Sequence, residues 1–298
     1  MDTRRLVSVV LLFLMGVVRV RQQHTCDQCD CTVGDSDDDR GITNVRPRCS
    51  EGKITWSSSY GAIRLELRPI RPGEFKACIL LHSHDVRTLV SRETVKYTPG
   101  NYKTKTVEKK ELTLSPLLTV NGSGGRDGKE VCATSSGDSV HLYIETVRTT
   151  EDTGLPRVTI YYDIEMTKSP LFYNPMDDCR PCTDKELIEA FCTSEFVVVG
   201  QMQNVVHSKA DETSYIDVQV SHVVRQKDRI FTPSPRSSRD LEGTILTPSK
   251  CDVSLSSGHF LLTGRVRLGR PVLKCAPFYD QWLRIRDEAK QSGMMECA

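Results

Sequence analysis

Apolar residues follow three patterns along this chain. Residues 6–18, behind Asp2 and the basic pair Arg4-Arg5, form an almost unbroken apolar run. A basic start before a short apolar stretch predicts an export signal over 1–22, because the run is too short to span a bilayer. From residue 26 to 165 the apolar positions come in short or alternating runs at 53–56, 62–67, 77–81, 111–120, 140–147 and 157–164, broken by glycine, serine and asparagine clusters such as 121–128. Such spacing predicts an all-β sandwich or barrel. The last third mixes two periods. Thr183-Asp-Lys-Glu186 is a capping box, with hydroxyl and carboxylate each placed to satisfy a free helix N–H, and Leu187, Ile188 and Phe191 continue it as a short amphipathic helix. Runs at 196–206, 215–224, 244–246, 259–268 and 272–275 read as strands. Trp282, Leu283, Ile285 and Ala289 then return near helical spacing within 279–291, with Gly293 placed to end that helix. The expectation is a β-barrel with a helix at each end.

Between these regions, residues 166–178 carry Pro170 and Pro175. Proline cannot join a sheet interior, so this stretch reads as an extended, semi-rigid linker between domains at 26–165 and 179–298. No later stretch approaches the roughly 20 apolar residues of a membrane helix, and the end, Glu296-Cys297-Ala298, carries neither an anchor tail nor a prenylation box. The reading is a soluble, secreted protein without a membrane span.

Composition adds little beyond a globular class, with 38% hydrophobic residues. The formal charge of +1 falls to about zero once Asp2, Arg4 and Arg5 leave with the signal, which gives no ground for a nucleic-acid partner. The cysteines change the picture more. All 12 follow the signal, at 26, 29, 31, 49, 78, 132, 179, 182, 192, 251, 275 and 297, six on each side of a cysteine-free stretch over 133–178. In an exported chain an even set of this kind predicts a disulfide framework, and six cysteines per half leave many pairings open.

Few residues point to chemistry. Cys179-Arg-Pro-Cys182 has redox spacing but no alternating strand–helix context to stabilise a thiolate, so structural bridging is expected. His82 and His84 share a strand face without a third metal ligand in view, and the acidic run at 35–39 lacks the glycine and terminal glutamate of a calcium loop. No nucleophile elbow, metalloprotease helix or phosphate-binding glycine loop occurs, so neither an enzyme nor a cofactor is expected. Arg225, Lys227 and Arg229, with Arg236 and Arg239 in a proline- and serine-rich loop, form a basic stretch suited to an acidic receptor face or to sulfated glycans. The plainer alternative is a solvated strand end. Asn121-Gly-Ser123 is a glycosylation sequon in a glycine-rich turn.

The C-terminal cysteine ladder resembles the netrin-like domain, an OB-type β-barrel. Further motifs, Cys192-Thr-Ser-Glu-Phe196, Phe260-Leu-Leu-Thr-Gly264 and Cys275-Ala-Pro277 in the second half and Trp56, Gly61-Ala62, Leu67-Arg68-Pro69 and Cys78 in the first, resemble the meteorin family over nearly the whole mature chain. The resemblance implies a CUB-like β-sandwich followed by the netrin-like barrel. It implies the bridges Cys179–Cys251, Cys182–Cys275 and Cys192–Cys297, worth ~4 kcal/mol apiece in the chain-entropy model, together with Cys78–Cys132. It further implies a bridge from Cys49 to an early cysteine. Cys31, nearest in sequence, is expected to fill that role, leaving Cys26 and Cys29 to pair locally or to link a homodimer. In function it implies a hormone- or cytokine-like factor, acting on neural and glial cells or on metabolic and immune tissue through a cell-surface receptor. The competing expectation is an extracellular module that modulates a protease or matrix component. Direct metalloprotease inhibition is not expected of the intact chain, because Cys179, the ladder's first cysteine, lacks a free amino group.

Overall fold

A computed structural model describes residues 29–34, 41–57, 59–100, 107–122, 128–135, 137–147, 156–167, 179–227, 229–234, 237–295 and 297. The predicted signal, Cys26, the acidic run at 35–39, residues 168–178 of the predicted linker and Arg236 lie outside these residues, while Met166, expected to open the linker, ends the last strand of the first half.

The first half comprises ten strands: β1 (Cys31–Val33), β2 (Ile42–Val45), β3 (Glu51–Ser57), β4 (Ala62–Leu67), β5 (Phe75–His84), β6 (Arg87–Gly100), β7 (Val107–Val120), β8 (Lys129–Ser135), β9 (Val140–Val147) and β10 (Arg157–Met166). They form two five-stranded sheets, ordered β1-β3-β10-β5-β8 and β2-β4-β9-β6-β7. Successive strand residues face opposite sides, so β4 sends Ile63, Leu65 and Leu67 inward and β10 sends Val158, Ile160 and Tyr162 to meet them. One core between the sheets results, the expected sandwich.

Strand β5 departs from this alternation. Ala77 through Leu81 are all buried, Cys78 and Leu80 on the outer side. A strand buried on both faces reads as a continuous apolar run, and the second half supplies the cover, with Leu268 packed on Cys78 and Leu80.

The second half runs α1 (Asp184–Thr193), β11 (Phe196–Ser208), β12 (Thr213–Gln226), β13 (Thr232–Ser234), β14 (Ser237–Pro248), β15 (Phe260–Arg267), β16 (Arg270–Cys275) and α2 (Tyr279–Gln291). Its strands form one six-stranded sheet ordered β12-β11-β15-β16-β14-β13, with β12 also pairing β14. Phe196 and Val198 of β11 enter one core with Ile216, Val218 and Phe231, while Val197 and Val199 pack beneath the helices with Leu187, Trp282 and Ile285. The two helices flank the strands in sequence but lie together in space, where Phe191 stacks on Trp282 at 4.6 Å. The capping box on α1 is formed as expected, Glu186 N–H donating to Thr183 and Thr183 N–H donating to Glu186 at 2.8 Å. The fold is mainly β, and five disulfides between described residues staple it.

Those disulfides are Cys29–Cys49, Cys78–Cys132, Cys179–Cys251, Cys182–Cys275 and Cys192–Cys297. Four of them are pairs the resemblance implied. The expectation for Cys31 is corrected: Cys49 bonds Cys29, so Cys29 is not available for a local or interchain bridge. β1 lies parallel to β3 with Cys31 opposite Ile54, five residues beyond Cys49, so Cys31 is carried away from Cys49 and an earlier cysteine meets it. Proximity in sequence is a poor guide across a parallel pair. Cys31 is disulfide-bonded as well.

Candidate functional site

Strand β10 turns Tyr161, Asp163 and Glu165 away from the sandwich core, and the β15–β16 hairpin faces them. Its two-residue loop, Leu268-Gly269, has φ of 52° and 73°, and the flanking Arg267 and Arg270 are directly paired. Two positive φ values in succession match the right-handed twist of a hairpin. Leucine rarely adopts such a φ; here its side chain is 3% exposed, packed among Cys78, Leu80, Cys132 and Tyr161. Gly269 lies against the Tyr161 ring, where an added Cβ would meet a ring carbon at 2.7 Å.

Around this apolar contact lies a ring of ion pairs. Arg267 Nε donates to Asp163 Oδ2 at 2.7 Å and lies 3.4 Å from Glu165, and its Nη1 reaches Glu130 at 3.4 Å. Arg270 also binds Glu130, and Arg265 binds Glu165 at 2.5 Å. On the other flank Lys227 Nζ sits 2.5 Å from Glu195 and 3.5 Å from Glu51 of the sandwich. Burial pushes the Asp163 and Glu51 carboxyls up. Burial opposes the charge of Glu165 and Glu195 too, yet Arg267 and Arg265 hold Glu165 below the usual glutamate value, and Lys227 with the Val266 N–H does the same for Glu195. Lys227 is raised, chiefly by its bond to Glu195.

This arrangement separates the residues of the basic stretch. Arg225 is exposed but tied to the fold: its Nε donates to the Ser194 carbonyl at 2.8 Å and its Nη2 to the Phe191 carbonyl. It therefore satisfies carbonyls left free at the end of α1. Lys227 bridges the two halves, whereas Arg229 is exposed beside it. Arg239 falls on β14, remote in sequence from the cleft-lining segment, and Arg236 lies outside the described residues. Asn121 is exposed at the end of β7. His82 packs edge-on against Tyr161 at 5.9 Å. The Cys179-Arg-Pro-Cys182 cysteines bond to different partners. Cys78, Cys132 and Glu130 cluster closely, but the two sulfurs are bonded to each other and Glu130 holds Arg270.

Beside the hairpin the halves enclose a cleft of about 1200 Å³. The sandwich lines it with Arg48, Glu51, Lys53 and Ile70, and the second half with Lys227, Arg229, Ile230 and Pro271. Sequence reasoning passed over the junction residues Glu51, Glu130, Asp163, Glu165, Glu195, Arg267 and Leu268. Two signals marked them: the both-faces run at 77–81, and the acid spacing Asp163-x-Glu165 set against the basic Arg265-x-Arg267-x-x-Arg270.

The fold and junction define a disulfide-stapled β-protein whose two halves are tied together by a hairpin, its ion pairs and Lys227. Among the described residues no helix is long and apolar enough to cross a membrane. The model described as "Meteorin, C-terminal domain" matches residues 181–289. Meteorin-like protein of Xenopus laevis is 31% identical over 293 residues, covering 97% of this chain and 95% of that protein. Meteorin-like protein of Homo sapiens is 30% identical over 258 residues, covering 86% and 77%, and Homo sapiens Meteorin is 35% identical over 119 residues, 40% of each. The chain belongs to the meteorin family.

Proposed function

We propose that this chain is an exported signalling factor that acts by binding a cell-surface receptor protein and performs no catalysis. Family membership over nearly the full length carries the reading. The disulfide framework supports it, since bonds of this density persist in oxidising compartments. The junction supports it as well: ion pairs and a buried hairpin tip hold the halves in one arrangement, so a surface built from both meets a partner at low entropic cost. The targets expected of such a hormone- or cytokine-like factor are neural, glial, metabolic or immune cells. The test is binding of tagged mature protein to intact cells of these types, with unlabelled protein as competitor. Saturable, competable binding at nanomolar concentration is the expected result. Binding that is absent, or that disappears on heparinase treatment, overturns the receptor reading and favours a matrix-associated module.

A further inference from the structure

We infer that the cleft between the two halves receives an extended acidic peptide segment of the partner protein. This rests on the receptor-binding reading and names the surface and the ligand chemistry. The cleft's volume of about 1200 Å³ exceeds that of a typical small-molecule pocket, roughly 300–1,000 Å³, and suits a length of chain. Its cations come from both walls, Arg48 and Lys53 from the sandwich and Lys227 and Arg229 from the second half. Against these four cations stand two carboxylates: Asp30, which accepts the backbone N–H of Lys53 at 2.8 Å, and Glu51, which faces Lys227 at 3.5 Å. The Lys53 and Arg229 side chains have no polar partner among the described residues, so the cleft presents unmatched positive charge on opposite sides.

The rest of the lining selects among anions. Ile70, 75% exposed, with Ile230 and Pro271, gives the cleft apolar surface that a sulfated polysaccharide cannot use. Asp30 and Glu51 would repel a uniformly anionic chain at short range. A peptide that alternates carboxylate and apolar side chains meets both features, as an extended segment turns successive residues to opposite sides. The walls are preset by the Arg267–Asp163 and Leu268 contacts, so binding orders the peptide alone.

The experiment sorts a displayed random dodecapeptide library on the intact, disulfide-bonded mature protein. The selected peptides are then measured against wild type and the Lys53→Ser/Arg229→Ser variant, whose melting temperature is checked in parallel. Enrichment of sequences that combine Asp or Glu with apolar residues is expected, with roughly tenfold weaker binding to the variant and affinity that falls as salt rises. Absence of acidic enrichment, equal binding to an equally stable variant, or affinity that salt does not change in wild type overturns the inference. Displacement of the selected peptide by a heparin oligosaccharide at lower concentration than by the free peptide also overturns it, in favour of a glycan. Saturable cell binding that survives any of these failures leaves the receptor reading standing, so the two are separable.

Discussion

Gly269 is the tightest point of the junction. Its φ is 73°, and a Cβ there would meet Tyr161 ring atoms at 2.7, 2.9 and 3.0 Å. Both backbone and space exclude a side chain, so Gly269→Ala is expected to cost about 1–3 kcal/mol, read as a lower urea midpoint. Glu195 carries a different prediction. Lys227 and the Val266 N–H hold its carboxyl below the ordinary value of 4.5 against the effect of burial. A depressed acid stabilises the fold above its unfolded pKa and loses that contribution as pH falls through its folded pKa. Wild type should therefore exceed Glu195→Gln in melting temperature at pH 6, and the difference should close as the pH is lowered below 4.5. A constant difference across that range would assign the loss to packing. Asp163 and Glu51 have the opposite sign, as their raised values make protonation favour the folded state.

Among the elements, those with a strong single period were legible. The capping box and the positions of Leu187 and Phe191 placed α1, the apolar spacing placed α2 at Tyr279–Gln291, and β4 occupies Ala62–Leu67 as read. Strands β6 and β8 were not. β6 carries Arg92, Glu93 and Lys96 among its apolar residues and extends beyond the β9 pairing, which ends at Glu93. In β8 only Ala133 and Ser135 are buried. Both strands exist because neighbours supply their hydrogen-bonding edges, which no local period encodes. The basic stretch was legible as charge, but the structural task of Arg225 was not, because the carbonyls it satisfies belong to residues 191 and 194. Arg225→Ser is expected to cost about 1–2 kcal/mol and to raise amide exchange in the last turn of α1. Arg229→Ser, on an exposed side chain, should leave stability unchanged.

For the whole molecule, the union of the halves depends on a few side chains. Asp163 is 3% exposed, and its ion-pair partner is Arg267. Arg267→Ala removes that partner from a buried carboxyl and from Glu130 at once, and a loss of about 3 kcal/mol is expected. Because each half retains its own core and disulfides, the variant should open at the junction before it unfolds. Small-angle scattering should show a larger radius of gyration, and limited proteolysis should cut between the halves. A variant as compact as wild type would mean that the Leu268 contact suffices. The same opening would separate Lys53 from Arg229, so acidic-peptide binding should fall with it.

The sequence by itself determined the mainly-β class, the capped helices and most strands, because backbone periodicity and capping are local consequences of residue order. Its motifs also marked the family and, through it, four of the five bridges between described residues. Tertiary structure decided the rest. Cys49 bonds Cys29 and not the nearer Cys31, which the parallel pairing of β1 with β3 holds opposite Ile54. The second face of β5 is buried because a hairpin from residues 260–275 covers it. Lys227 serves as a bridge and Arg225 as a helix cap because folding brings residues 51, 191, 194 and 195 to them. Which charges are engaged and which remain for a partner depends on contacts between residues far apart in the chain, some within the second half, as for Arg225, and some made only when the halves dock, as for Arg267 with Asp163.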